Sequence, residues 1–148
     1  MGITRHATAV WAGDLASGSG MVTYVSSGAY TRLPVTWASR TGQHNGKATP
    51  EEFLAAAHAS CFSMSFASRL AKNGATSDRV EVTVTIGFEQ VEGAWTVASS
   101  TIRVSAVAPG MDPATFQALA EDARDKCPIS RALKGNVAIS VEATLLPA

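Results

Sequence analysis

Two cysteines stand in unlike surroundings along this 148-residue chain: Cys61 in the apolar run HASCFSM at 58–64, and Cys127 just before a proline in CPIS at 127–130. A thiolate attacks peroxides and disulfides, and local charge sets how far the thiol ionises, so a helical cysteine and a helix-terminal one differ in chemistry. The settings suggest a working redox pair in which one thiol attacks and the other resolves. Cys61 falls buried in mid-helix, where the helix dipole offers a thiolate nothing and apolar neighbours such as Phe62 and Met64 push its pKa up, so it needs an imported cation. The plainer alternative is a small hydrophobe filling a helix interface. Cys127 is pushed out of helical geometry by Pro128 onto the N-cap of the following turn, where free backbone N–H groups favour a thiolate and make it a good leaving group. Its plainer alternative is a junction residue where a helix breaks. His58, three positions before Cys61 on roughly the same helical face, raises a Cys–His hydrolase nucleophile as a rival. No carboxylate is evidently placed to orient the imidazole, and a packed or partner-bonded histidine is the commoner outcome.

The composition narrows the setting. With 46% apolar residues the chain fits one domain spanning 1–148, and a globule of this size buries about 68–70% of its unfolded surface, enough for a core without staples. Twelve Lys and Arg balance twelve Asp and Glu without gathering into a run, so nucleic acid and acidic membrane surfaces are not expected partners. The opening MGITRHATAVWAGD has no leader-like apolar stretch, and no run is long enough to span a bilayer, which points to the cytoplasm. A permanent structural disulfide is improbable in a reducing compartment, and that moves two cysteines towards catalysis or packing. His6, His44, His58 and the cysteines lack zinc-type paired spacing, and the Gly-Ser stretch at 17–20 lacks the Lys-Ser/Thr of a phosphate loop, so no metal or other cofactor is expected.

The elements that must position these residues follow from periodicity. Two-residue alternation over 3–11, 21–26 and 33–37 reads as three strands, with turns at Gly13-Asp14, 17–20 and 26–28. Thr49-Pro50-Glu51-Glu52 is a helix start with Thr49 as N-cap and Glu52 completing a capping box. That helix runs to about Asn73, with Gly74 as its stop, for ~36 Å. Its middle has so little polar face that it should be a central helix enclosed on most sides. Val80, Val82, Val84, Ile86 and Phe88 alternate in a strand that turns at Glu92-Gly93 into a second from Trp95 to Val107. Asp112-Pro113 caps a helix over 113–126, a short helix follows Pro128 to Lys134, and a last strand covers 137–145. The order is βββ-α-ββ-αα-β, an α+β class.

Three segments, AVWAGDLASGSG (9–20), ATPEEFLAAAHASCFSMSFA (48–67) and MDPATFQALAEDARDKCPISRAL (111–133), resemble the OsmC/Ohr family of thiol peroxidases, and the likeness covers essentially the whole chain. The AAHASCFSM form and the WxGDLxSGxG opening are closer to the OsmC (osmotically inducible protein C) branch. The resemblance implies an intertwined homodimer whose two antiparallel-rich sheets wrap around two long central helices. It also implies that Cys61 is the peroxidatic thiol and Cys127 the resolving thiol, closing an intrachain disulfide in each cycle. The substrates implied are organic hydroperoxides with some hydrogen peroxide, the reductant a dithiol of lipoyl type, and the setting an osmotic or oxidative stress response.

The same resemblance carries an Arg near the end of the third strand and a Glu ten residues before the peroxidatic Cys onto Arg40, at the end of LPVTWASR, and Glu51. Read without it, Glu51 is a first-turn carboxylate favoured by the helix dipole and Arg40 a solvated strand-end charge. Together they make chemical sense: a guanidinium lowers the thiol pKa and hydrogen-bonds peroxide oxygens, and a carboxylate gripping it bidentately fixes its fork. Glu51 and Cys61 lie ~15 Å apart along one continuous helix, too far to share a substrate within a chain. Two such helices crossing antiparallel near Ala56 would bring Glu51 of one copy to Cys61 of the other. The rivals are a non-catalytic ligand-binding dimer with packing cysteines and the Cys61–His58 hydrolase.

Overall fold

The structure, a computed structural model, describes residues 2–148 and has an α+β architecture of two three-stranded sheets and four helices. It contains two compact units, one ending at Phe53 and the other spanning Leu54–Ala148.

In the first unit, β1 (Ala7–Ala12), β2 (Ser19–Val25) and β3 (Leu33–Val35) form an antiparallel sheet in that order. The link between β1 and β2 is a turn built on Asp14, whose carboxylate accepts from the Ser17 N–H at 2.8 Å and from the Ser17 hydroxyl at 2.7 Å. Glycine is required just beyond it. A Cβ on Gly18 would lie 2.2 Å from the Asp14 carbonyl oxygen, and one on Gly20 would lie 2.6 Å from Trp11 Cε3, so the Ser-Gly stretch serves close approach within the sheet.

Two expectations need correcting here. The first strand starts at Ala7, several residues later than its alternation suggests, and the third stops at Val35. Beyond it Thr36 caps a short helix, α1 (Trp37–Thr41). The Ser39 N–H donates to Thr36 Oγ1 at 3.1 Å and the Thr36 N–H donates to Ser39 Oγ at 3.2 Å, a reciprocal cap that overrides the alternation running through Trp37. The observed order is therefore βββ-αα-ββ-αα-β, one short helix more than expected. Arg40 stands in the last turn of α1 and not at a strand end.

Helix α2 (Pro50–Lys72) begins as expected: the Glu52 N–H donates to Thr49 Oγ1 at 3.2 Å, and Glu52 Oε2 accepts from the Thr49 N–H at 2.8 Å. It ends where Gly74 takes a φ of +74°. His58, Phe62, Phe66 and Leu70, four residues apart in succession, form its buried stripe. The opposite side is open in the chain, with Met64 69% exposed, so the helix is covered along one stripe and not enclosed on most sides. No helix among the described residues is long and apolar enough to cross a membrane.

The second unit adds β4 (Val80–Val91), β5 (Ala94–Val107), α3 (Pro113–Lys126), α4 (Pro128–Leu133) and β6 (Ala138–Leu146). Glu92 and Gly93 both take positive φ, 51° and 82°, the pattern of a tight hairpin turn whose twist matches the antiparallel strands β4 and β5. β6 then pairs parallel with β5, which requires a crossover, and α3 and α4 supply it. Gln117 of α3 pins the last strand by accepting from the Ala143 N–H at 2.9 Å and donating to the Val141 carbonyl at 3.2 Å. The core lies between α2, α3 and the inner face of β5: Phe62, Phe66 and Leu70 pack with Ile102, Val104 and Ala106 and with Phe116, Ala120 and Ala123. Phe66 meets Phe116 edge to face, with ring centroids 5.1 Å apart.

Candidate functional site

Both cysteines are free thiols in the second unit, and the fold packs Cys61 against the buried cluster that contains Cys127 although 66 positions separate them in sequence. Cys61 rises from α2 half-buried, more open than its apolar setting suggests, and Cys127 is fully buried at the corner between α3 and α4. Pro128 breaks the helix as expected, leaving Cys127 extended at φ −62°, ψ 123°, at once the C-cap of α3 and the N-cap of α4.

The helix start serves the other sulfur. The Cys127 side chain makes no capping hydrogen bond at the start of α4, and the backbone N–H of Ile129 in that turn acts on the Cys61 thiol through its electrostatics. Burial pushes the Cys61 thiol above its ordinary range, the Ile129 N–H pulls it down, and the hydrogen bond and charge of the Cys127 thiol push it up again.

In the first unit the structure pairs Arg40 with Glu51. Nε and Nη2 of the guanidinium donate to the same carboxylate oxygen, Glu51 Oε1, at 2.9 and 2.7 Å. The expected two-oxygen fork is therefore a two-donor grip on one oxygen. The Glu51 side chain is 12% exposed and that of Arg40 29%, so the pair is more sheltered than a solvated surface bridge. The Arg40 guanidinium also lies over the Trp37 ring, 5.8 Å from its centroid, one helical turn away on α1.

His58 is fully buried. Its Nδ1 lies 2.8 Å from Ser100 Oγ on β5 and its Nε2 lies 2.7 Å from Ser130 Oγ on α4, so both ring nitrogens are engaged by serine hydroxyls. Desolvation holds its pKa below the ordinary value of 6.5, which keeps the imidazole neutral. This is the partner-bonded histidine expected from composition. Sequence reasoning missed Ser100, Ser130 and the Ile129 N–H, and no local motif marks them: Ser100 is 42 positions from His58 and Ser130 is 72.

A buried histidine–serine cluster and two free cysteines packed in one core lie on an α+β scaffold, and comparison with known proteins gives the chain a family. A family model described as "OsmC-like protein" matches residues 42–142. Peroxiredoxin OsmC of Escherichia coli K12 is 29% identical over 142 residues, covering 96% of this chain and 98% of that protein. Organic hydroperoxide resistance protein-like 1 of Staphylococcus epidermidis is 33% identical over 100 residues, covering 67% of this chain and 71% of its own. The crystal structure of an organic hydroperoxide resistance protein from Elizabethkingia anophelis superposes with a TM-score of 0.72 at 22% identity, covering 99% of this chain and 100% of that one. This chain belongs to the OsmC-like family.

Proposed function

We propose that this protein is a two-cysteine peroxidase acting on organic hydroperoxides and, to a lesser degree, hydrogen peroxide. The Cys61 thiolate attacks the terminal O–O oxygen of ROOH. The O–O bond breaks, RO⁻ leaves and takes up a proton as ROH, and the sulfur becomes a sulfenic acid. The Cys127 thiol then displaces the hydroxyl, forming the Cys61–Cys127 disulfide and releasing water. An external dithiol, of lipoyl type by family resemblance, reduces that disulfide by exchange and leaves as its own disulfide. The names of the OsmC and hydroperoxide-resistance relatives favour this chemistry. The observation that supports it is the packing of both free thiols in one cluster, Cys61 against the buried group that includes Cys127.

A thiol raised by burial needs a cation to ionise at neutral pH, and the Arg40–Glu51 pair is our choice for it, with Glu51 holding the guanidinium and Arg40 facing the thiolate and peroxide. The ~15 Å between Glu51 and Cys61 along α2 leads us to assign the pair to Cys61 of a second copy, in a homodimer in which two α2 helices cross. The open apolar side of α2 and the exposed Val10, Trp11 and Leu15 of the first unit are consistent with a covering partner. Engagement of both His58 nitrogens by serines weighs against the hydrolase reading.

The deciding experiment treats the reduced protein with cumene hydroperoxide and follows peroxide loss together with intact mass. The expected result is peroxide consumption with loss of two hydrogens from the protein, the latter abolished in Cys127→Ser. An unchanged mass and unconsumed peroxide would overturn the proposal.

A further inference from the structure

Two polar contacts run from one stripe of α2 to the α3–α4 corner, with Cys61 between them. His58, Cys61 and Ser65 follow an i, i+3, i+7 spacing. His58 Nε2 lies 2.7 Å from Ser130 Oγ, Ser65 Oγ donates to the Ala123 carbonyl at 3.0 Å, and Cys61 packs against the cluster that includes Cys127. Ala123 O also accepts from the Cys127 N–H at 2.9 Å. Cys127 therefore sits on a corner pinned from both sides. The pin at the α4 side differs from the one at Ser65 because it continues: through Nδ1 and Ser100 Oγ it reaches β5, the central strand of the second sheet.

We infer that His58 is a positioning residue, which bridges β5 to the first turn of α4 through Ser100 and Ser130 and so holds the corner that carries Cys127 beside the α2 turn that carries Cys61. No water competes at this bridge, since His58 and Ser100 are fully buried and Ser130 is 4% exposed. A neutral imidazole has one donor and one acceptor nitrogen, so one serine must donate to the ring and the other accept from it. Either tautomer satisfies the chain, and removing any member leaves a buried polar group without its partner. Ser130 and Cys127 share the first turn of α4, and His58 and Cys61 stand on consecutive turns of α2, so slack at the histidine transfers directly to the placement of Cys127 beside Cys61. Sulfur–sulfur closure tolerates little slack, because misplacement by about 1 Å costs on the order of a hundredfold in rate. The kinetic consequence of this bridge rests on the peroxidase reading above, while the bridge itself stands on geometry.

The test compares Ser130→Ala with Ser130→Thr, which keeps the hydroxyl, and adds His58→Gln. Each reduced protein is mixed with cumene hydroperoxide in the presence of dimedone, and intact mass gives the partition between sulfenic-acid adduct and disulfide. Ser130→Ala and His58→Gln should shift the partition towards the adduct by about tenfold, the worth of roughly one buried hydrogen bond, and Ser130→Thr should restore disulfide formation. A wild-type partition in folded Ser130→Ala overturns the inference. Should His58→Gln fail to fold, the two serine variants decide alone. Hydrogen exchange at the Arg131 amide, which closes the first turn of α4 onto the Cys127 carbonyl, gives a readout independent of peroxide. The bridge requires faster exchange in Ser130→Ala than in Ser130→Thr, and equal rates overturn it. If wild type forms no sulfenic acid, the peroxidase reading fails while the exchange rates still decide the bridge.

Discussion

Replacing Ile129 with proline removes the backbone N–H that lowers the Cys61 thiol pKa against the raising effect of burial. It breaks no bond of the α4 ladder, whose first bond runs from the Arg131 N–H to the Cys127 carbonyl at 2.9 Å, although proline at 129 also disfavours the helical geometry of Pro128, so equal heat stability with a control is required. A hydrogen bond to a charged group contributes about 1.5–3 kcal/mol. Loss of a contribution of that size raises the Cys61 pKa and lowers the thiolate fraction below the midpoint about 10- to 100-fold, but a more basic thiolate is also more nucleophilic, with a Brønsted slope of about 0.4–0.5. The net alkylation rate at a fixed pH below the midpoint should fall roughly three- to tenfold. The assay is iodoacetamide alkylation of Cys61 across pH in a Cys127→Ser background. Ile129 also packs against the core, so Ile129→Ala, which keeps the N–H and loses the side chain, is the comparison. A pH profile of Ile129→Pro that superposes on that of Ile129→Ala, with both proteins equally stable to heat, would refute the assignment of this amide to the sulfur.

Four further outcomes are expected. Phe66→Ala empties a fully buried ring site that packs on Phe62 and Phe116 and should cost about 3–5 kcal/mol in urea unfolding of the reduced protein; a loss near zero would mean the ring is not core. His58 is held below its ordinary 6.5, so its contribution to stability is present above that pH and is lost as pH falls through the lowered folded value; the midpoint in urea should drop more steeply from pH 7 to pH 5 in wild type than in His58→Gln. Glu51→Gln keeps an acceptor for Arg40 but removes the charge from both short bonds, and peroxide consumption should fall about tenfold; wild-type turnover would exclude the pair from the chemistry. Gly20→Ala places a Cβ 2.6 Å from Trp11 and 2.9 Å from Val35 and should lower thermal stability by about 1–3 kcal/mol, measurable by calorimetry.

How much of this was legible beforehand depends on how local the determinant is. The capping box of Thr49 and Glu52, the Gly74 stop, the alternation of Val80 to Ile86 and the break at Cys127-Pro128 are all set by residues within a few positions, and each appears where the pattern places it. The α1 helix shows two local patterns in competition: Leu33, Val35 and Trp37 alternate as a strand, while Thr36 and Ser39 form a reciprocal cap that ends it. Capping won because it satisfies backbone groups at once, and Arg40 moved from a strand to a helix as a result. The Arg40–Glu51 pairing came from family resemblance, since neither residue's spacing carries it. The Ile129 amide and the two serines on His58 were out of reach, because they depend on the parallel placement of β6 beside β5, and hence on where the corner between α3 and α4 comes to rest.

That placement of β6 has a consequence for how the corner bearing Cys127 is held. Cys127 belongs to the excursion between two parallel neighbours, so its position is fixed only when the final strand has docked along Ser99 to Val107. The crossover thus sets the corner's seat from a distance: a change along β6 that loosened its pairing with β5 would free α3 and α4 together, with no residue of the corner itself altered.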